Sequence, residues 1–335
     1  MNTEWGRPYT GKKLEYLKEF LADQGLRYDG GITDTVIISE EGSILATGSI
    51  DGNIIKCVAV NPSRRGENLL GQVMTELTAE FFRKGITHYF GFTKPENAEL
   101  FGGAGLYKVA ETKDVLLLEN RKDGLEKYLN RIRKETDAAK ADGMPGNGGS
   151  TGCIVAHANP FTLGHRFLAE TAAAECEWVH IFILSESGSE IPAAERYRLA
   201  EEGVADIPNV ILHEASDYLI SPATFPTYFI KEQARTEEIN CGLDVAIFGG
   251  IIAKALGITR RYVGTEPDDE VTAAYNEILK KDLPGYGIEL REIGRLCVDG
   301  RTVSASAVRQ AVAMGRPEDA EEMVPVTTYN YLKNR

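Results

Sequence analysis

Three residues within four positions, Thr162, Gly164 and His165, have the types and spacing to hold a phosphate. They follow the short apolar run Cys153-Ile154-Val155-Ala156 and precede Arg166-Phe167-Leu168-Ala169-Glu170-Thr171-Ala172-Ala173-Ala174, which is rich in helix formers. The break at Asn159-Pro160 is a turn signal, so the stretch reads as strand, tight loop, helix. A helix N-terminus presents unpaired N–H groups and the positive end of a dipole to an anion. Gly164 lets a ligand approach the backbone, His165 can donate to an oxyanion, and Thr162 adds a hydroxyl. From the residues alone, a plain strand-to-helix turn remains the alternative.

A second cluster lies far downstream in Val303-Ser304-Ala305-Ser306-Ala307-Val308-Arg309. Ser304 is a natural N-cap, and the hydroxyls of Ser304 and Ser306 can donate to phosphate oxygens. Arg309 follows by about one helical turn and can face the same side. Capping explains Ser304 without asking for an arginine.

Thr-x-Gly-His after a strand resembles the first signature of the nucleotidylyltransferase superfamily. Ser304 to Arg309 stands where that superfamily carries Ile-Ser-Ser-x-x-Arg. The longer string Ala158-Asn159-Pro160-Phe161-Thr162-Leu163-Gly164-His165 is similar to the citrate (pro-3S)-lyase ligase family. So are Thr224-Phe225-Pro226-Thr227-Tyr228-Phe229-Ile230-Lys231 and Val263-Gly264-Thr265-Glu266-Pro267. The resemblance implies ATP and Mg²⁺ as cofactors, with Thr162 and His165 on the phosphates. It implies a cytoplasmic ligase that joins acetate to citrate lyase, on the CoA-derived thiol arm of an acyl carrier subunit, through an acetyl-adenylate. An adenylyltransferase making a dinucleotide and a non-catalytic nucleotide sensor are the other two readings.

Catalytic roles fall to His165, Thr162, Lys231 and Arg309. Lys231 is a point charge able to reach the phosphates or the incoming carboxylate. Nucleotide binding falls to Asn159, Phe161 and Gly164 in the first loop and to Ser304 and Ser306 in the second motif. Phe248, Gly249 and Gly250 are read as a strand end opening a helix, with bare backbone for adenine or ribose. Gly264 and Glu266 end the next strand, where the carboxylate can accept from ribose or adenine. Tyr218 and Ser221 are placed near the acyl site, and His157 is left unassigned. Arg196 and Arg198 read as surface ion-pair partners, and His180 and His213 as core or edge histidines.

The expected fold class is α/β, with two domains. Residues 1–140 resemble the GNAT acetyltransferase fold: a helix over 11–25, strands at 35–39, 43–47, 53–60, 86–92 and 105–118, and Asp51-Gly52 as a hairpin signal. The loop from Arg64 and Arg65 into a helix resembles that fold's pyrophosphate loop, a nest of backbone amides. Asn68 and Leu70 stand where its glycines belong. Residues 141–150, rich in glycine, read as a linker. A P-loop there lacks the Gly-Lys-Ser/Thr ending.

Residues 151–335 alternate strands (152–157, 178–184, 208–212, 243–248, 260–264, 287–293) with helices, the pattern of a doubly wound parallel sheet. Ligands in such sheets bind beyond the carboxyl ends of the strands.

A formal charge of −13 and no Lys/Arg tract argue against a nucleic-acid or anionic-membrane binder. No run reaches the roughly 18 apolar residues of a spanning helix. Five cysteines (Cys57, Cys153, Cys176, Cys241, Cys297) form no CxxC pair, so thiol-nucleophile and zinc readings have no support, and a reduced cytosolic setting is expected. No metal site built from protein side chains is expected.

Overall fold

The computed structural model describes residues 1–185, 189–221, 241–266 and 270–334. They form two compact units. One comprises Met1–Leu125 with residues 241–246; the other comprises Glu126–Ser221 and the residues from Ile247 onward.

The first unit is built on a seven-stranded sheet in the order β1-β2-β3-β4-β5-β7-β6. Its strands are β1 (Asn2–Gly6), β2 (Asp34–Glu40), β3 (Ser43–Asp51), β4 (Ile54–Val60), β5 (Phe90–Thr93), β6 (Tyr107–Glu111) and β7 (Leu116–Glu119). β1 is an addition to the sequence expectation; its polar, half-exposed residues give no apolar run to read. The strand expected over 105–118 is instead the antiparallel pair β6 and β7.

Helices α1 (Gly11–Asp23), α2 (Leu69–Arg83) and α3 (Ala98–Gly102) accompany the sheet. Leu69, Val73, Leu77 and Phe81 recur at helical spacing on α2 and are buried with Val36, Leu45 and Leu118. Gly48 of β3 allows close packing there, since a Cβ would stand 2.6 Å from Val73. All strand pairs are antiparallel except β4 with β5, which are parallel and pair only at Ile54–Phe90 and Ile55–Gly91. Beyond that point the two strands part.

The second unit opens with α4 (Gly124–Asp142), whose Tyr128 and Ile132 are buried one turn apart. Its sheet is wholly parallel, in the order β10-β9-β8-β11-β12. The strands are β8 (Thr151–Ala156), β9 (Trp178–Ile183), β10 (Val210–Glu214), β11 (Arg260–Gly264) and β12 (Glu289–Ile293). Strand order reverses at β8, which has β9 on one side and β11 on the other. That is the switch point at which doubly wound sheets open a crevice. Helices α5 (Leu163–Glu175) and α6 (Ala193–Val204) cover one face, where Ala169, Ala172, Leu199 and Ala200 pack on Ile154, Ile181 and Tyr262. The remaining helices are α7 (Ala253–Leu256), α8 (Glu270–Asp282), α9 (Ala305–Ala313) and α10 (Val326–Lys333). A short hairpin, β13 (Cys297–Val298) with β14 (Arg301–Thr302), precedes α9.

A buried polar chain ties α4 to the sheet. His213 of β10 stands 2.7 Å from Glu135 Oε2 through Nδ1 and 2.9 Å from His180 Nδ1 of β9 through Nε2. Both rings are fully buried, as expected for core histidines. Burial and the neighbouring His213 and Lys140 lower the His180 pKa to about 3. Burial raises the Glu135 pKa, but the His213 bond and Arg131 outweigh it and hold the carboxyl below its ordinary value.

Two expectations are corrected. Residues 243–248 are helical rather than a strand: 241–247 are helix, followed by a π-turn at Phe248–Ile252 that runs into α7. A short apolar run such as Leu243 to Phe248 does not distinguish the two by periodicity. The glycine-rich residues 141–150 are not a free tether. Gly146 N–H donates to Glu177 O at 2.8 Å, and Glu177 N–H donates to Ser150 O at 2.8 Å. The units divide at Leu125/Glu126, so α4 groups with the parallel sheet.

The glycines permit this packing. A Cβ on Gly148 would stand 2.2 Å from Glu175 O, and one on Gly146 would stand 2.3 Å from Cys176 O. Gly148→Ala is therefore expected to destabilise the fold by about 1–3 kcal/mol through overpacking. Denaturant unfolding checks this; a flexible tether would show no change.

Candidate active site

The loop from β8 to α5 lies at the switch point. Three long-range contacts set its shape. The fully buried Arg196 of α6 donates from Nη1 to His157 O at 2.6 Å and from Nε to Ile191 O at 3.1 Å. It is therefore an internal brace and not a surface ion-pair partner; Arg198 does pair at the surface, with Glu195 and Glu202. Phe161 is buried with its ring over Gly203, where a Cβ would stand 2.4 Å from Cε1. Arg309 Nη1 donates to Asn159 O at 2.7 Å.

Thr162 and His165 form a reciprocal cap on α5. Thr162 Oγ1 accepts from His165 N–H at 3.3 Å, and His165 Nδ1 lies 3.0 Å from Thr162 N and 2.8 Å from its Oγ1. A backbone N–H can only donate, so Nδ1 is the unprotonated nitrogen and the ring carries its proton on Nε2. Burial, with the charge of Arg295 and the neighbouring His157 ring, lowers the His165 pKa to about 4. The imidazole is thus a neutral hydrogen-bond donor at neutral pH. Thr162 is buried and its hydroxyl engages His165, so its part is to orient the ring.

The second motif meets the first. Ser304 caps α9, accepting from Ala307 N–H at 3.1 Å. Ser306 is exposed and accepts from Arg309 Nη2 at 3.1 Å. A Cβ on Gly164 would stand 3.5 Å from Val303 O, so the two helix starts adjoin. His157 Nε2 lies 2.9 Å from Ser189 Oγ.

Phe248 is buried with the Arg261 guanidinium over its ring at 4.5 Å. Gly249 and Gly250 carry the Tyr286 ring on their bare faces, with 2.7 Å from a Gly249 Cβ to Tyr286 Cγ, so that face is taken by the protein itself. Gly264 has open space where a Cβ would be, and its carbonyl accepts from Asn276 Nδ2 at 3.0 Å. Glu266 is ion-paired with Arg295 through one of its two carboxylate oxygens. Tyr218 is buried beside Tyr128, and Ser221 donates to Asp217 O at 2.6 Å. Lys231 and its motif lie outside the described residues. Arg295 is the residue that sequence reasoning missed. Its signal is its place just past the carboxyl end of β12.

The first unit holds a separate cleft of about 950 Å³ where β4 and β5 part, lined by Val58, Val60, Gly66, Leu69, Thr93 and Ala104. Asn68, in a glycine position of the resembling loop, takes φ +54°, the left-handed region that Asn tolerates best among non-glycines. Leu70 lies in the first turn of α2. The loop therefore enters its helix without those glycines. Arg64 is paired with Glu67 and Glu40.

Among the described residues no group of three His, Cys, Asp or Glu is placed to cage a metal, and no helix is long and apolar enough to cross a membrane.

Two capped helix starts thus meet at the switch point of a parallel sheet, one carrying a neutral histidine and the other an arginine, an arrangement of α/β proteins suited to holding an anion. The family profile of the citrate lyase ligase C-terminal domain matches residues 151–332. The citrate (pro-3S)-lyase ligase of Escherichia coli K12 is 38% identical over 328 residues, covering 96% of this chain and 91% of the relative. That of Haemophilus influenzae is 39% identical over 329 residues, covering 96% of each. The chain belongs to the citrate lyase ligase family. Solved structures similar to parts of it include an acyl-CoA N-acyltransferase from Pseudomonas aeruginosa (16% identical, TM-score 0.32, 36% of this chain and 100% of that one). Another is Thermotoga maritima TmcAL bound with alpha-thio ATP (16% identical, TM-score 0.35, 55% of each). The second unit carries the parallel sheet, within the residues that the family profile matches.

His165 should titrate near pH 4 with Nε2 protonated above that, as read by nitrogen-detected NMR of the ring. A histidine whose folded pKa is depressed binds its proton first in the unfolded chain. Its linkage therefore lowers stability as pH falls from about 6.5 towards 4 and leaves it unchanged above. His165→Ala should flatten that part of the stability profile.

Proposed function

We propose that this chain is an ATP-dependent acid–thiol ligase that acetylates the thiol arm of citrate lyase. The observation that carries the reading is the fixed Nε2–H of His165 beside the Ser304–Arg309 helix start, in a chain of this family. An acetate oxygen bonds to the α-phosphorus of ATP, and the bond to pyrophosphate breaks with its electron pair. The acetyl-adenylate then meets the arm's thiolate at its carbonyl carbon, and AMP leaves as the thioester forms.

The protein's task in the first step is to align the phosphate chain and offset the charge gathering on it. His165 Nε2–H and the Ser304 hydroxyl supply donors. Arg309 joins the two loops, and Gly164 lets the phosphates approach the amides of α5. Lys231 is assigned to the phosphates or the acetate.

Mg²⁺ fits this site as an ion carried by the nucleotide. Mg²⁺ prefers phosphate and water oxygens to a protein cage, and Asn159 Oδ1 is a buried acceptor with no partner among the described residues. Bound there, it would neutralise phosphate charge. The cleft between β4 and β5 is assigned to the CoA-derived arm. Unpaired strand edges suit the amides of a pantetheine chain, and the start of α2 suits its phosphates.

Acetate-dependent exchange of pyrophosphate into ATP, measured without lyase, tests the first half-reaction. It should require acetate, and His165→Ala should lower its kcat by about 100-fold. Release driven by a phosphorylated acceptor in place of acetate would point to a dinucleotide product. Arg65→Glu, at the cleft, should raise the KM for the thiol form of citrate lyase by about ten-fold.

A further inference from the structure

Arg295 sits where three parts of the active site meet. It follows β12 within two residues, beside the carboxyl end of β11, with β8 next in the sheet. Its Nε donates to Thr265 O at 2.8 Å, and its Nη2 pairs with Glu266. The next residue, Leu296, accepts from Val303 N–H at 2.9 Å, and Val303 lies against Gly164. The guanidinium is thus held on one edge by the β11 loop, while the backbone that follows it pairs with Val303, the residue between the two signature motifs. With a side-chain exposure of 21% it is neither surface nor core.

Arg309, the cation of the signature, already spends donors on Asn159 O and Ser306 Oγ. Its bonds brace the loop. A guanidinium has five N–H donors in a planar fork, and among the described residues Arg295, like Arg309, has donors beyond those contacts. Its charge is also felt at His165, where it helps to keep the ring neutral.

We propose that Arg295 is a catalytic residue of the adenylation step, binding the pyrophosphate as it departs, and that Glu266 positions it. This inference rests on the ligase reading above and names a residue for it. In the step, the acetate oxygen–phosphorus bond forms and the bond from α-phosphorus to the bridging oxygen breaks. The electron pair goes to pyrophosphate, and no proton moves. Negative charge on the leaving group grows towards the transition state, so a fixed cation there acts on kcat more than on ATP binding. Glu266 limits the rotamers of Arg295 before ATP arrives, which lowers the entropic cost of aligning it.

The test is acetate-dependent pyrophosphate exchange by the full-length chain. Absence of exchange in the wild type would sink the ligase reading itself. Given wild-type exchange, Arg295→Ala should lose about 100-fold in kcat with a change in ATP KM below about five-fold. Added guanidinium should restore part of the rate, as it would not for a merely structural residue. Arg295→Lys should fall between, keeping the charge but not the fork. Glu266→Gln should lose about ten-fold in kcat at similar KM, with Glu266→Asp less affected. Arg295→Ala within about three-fold of wild type would overturn the proposal. So would a loss carried wholly by KM, or the absence of guanidinium rescue at an unchanged melting temperature. If the alanine variant does not fold, Arg295→Lys at wild-type kcat is the overturning result.

Discussion

The hydrogen bond from Arg309 to Asn159 O joins residues 150 positions apart, and the active site depends on it. Each signature motif is a local capping device with no means of finding the other. The sheet order brings them together: β8, which leads to the first motif, and β11 and β12, which lead to the second, lie side by side and parallel. Once the strands are adjacent, a charged donor on a carbonyl fixes the separation of two helix starts. A charge-assisted bond of this kind is stronger than a neutral one and directional, and it is paired with a loop whose other side is held by buried Arg196. The loop is thus clamped from both sides by guanidinium groups acting on backbone oxygens.

Protonation follows from the same geometry. Thr162 and His165 satisfy each other at the start of α5, which selects one tautomer before any ligand arrives. A charged imidazole would be the stronger donor, but it would need to sit beside Arg295 in a half-buried place. The arrangement trades that strength for a donor whose state is constant across the physiological range.

The parts legible in the sequence are those with local causes. The start of α5, the Ser304 cap and the alternation of strand and helix in the second unit are written in neighbouring residues. What escaped depends on distant ones. Leu243 to Phe248 reads equally as strand or helix until its surroundings exist. The glycines at 143, 146 and 148 have the composition of a tether, yet their lack of a Cβ serves close approach to backbone carbonyls. Asn68 looked like a broken loop signature but adopts the conformation a glycine would. Arg196 and Arg295 look like any charged residue until the topology buries one and sets the other at the crevice.

The chain from Glu135 through His213 to His180 has a practical meaning for dividing the protein. α4 belongs by sequence to the stretch that looks like the tail of the first unit, yet it carries the carboxylate that a buried imidazole needs. A C-terminal fragment begun in the glycine-rich stretch would strip this helix away. It would take from His213 its carboxylate partner and from the sheet the buried apolar side chains of Tyr128 and Ile132. The natural seam for limited proteolysis or domain expression is therefore ahead of Gly124, nearly twenty residues upstream of where composition puts it.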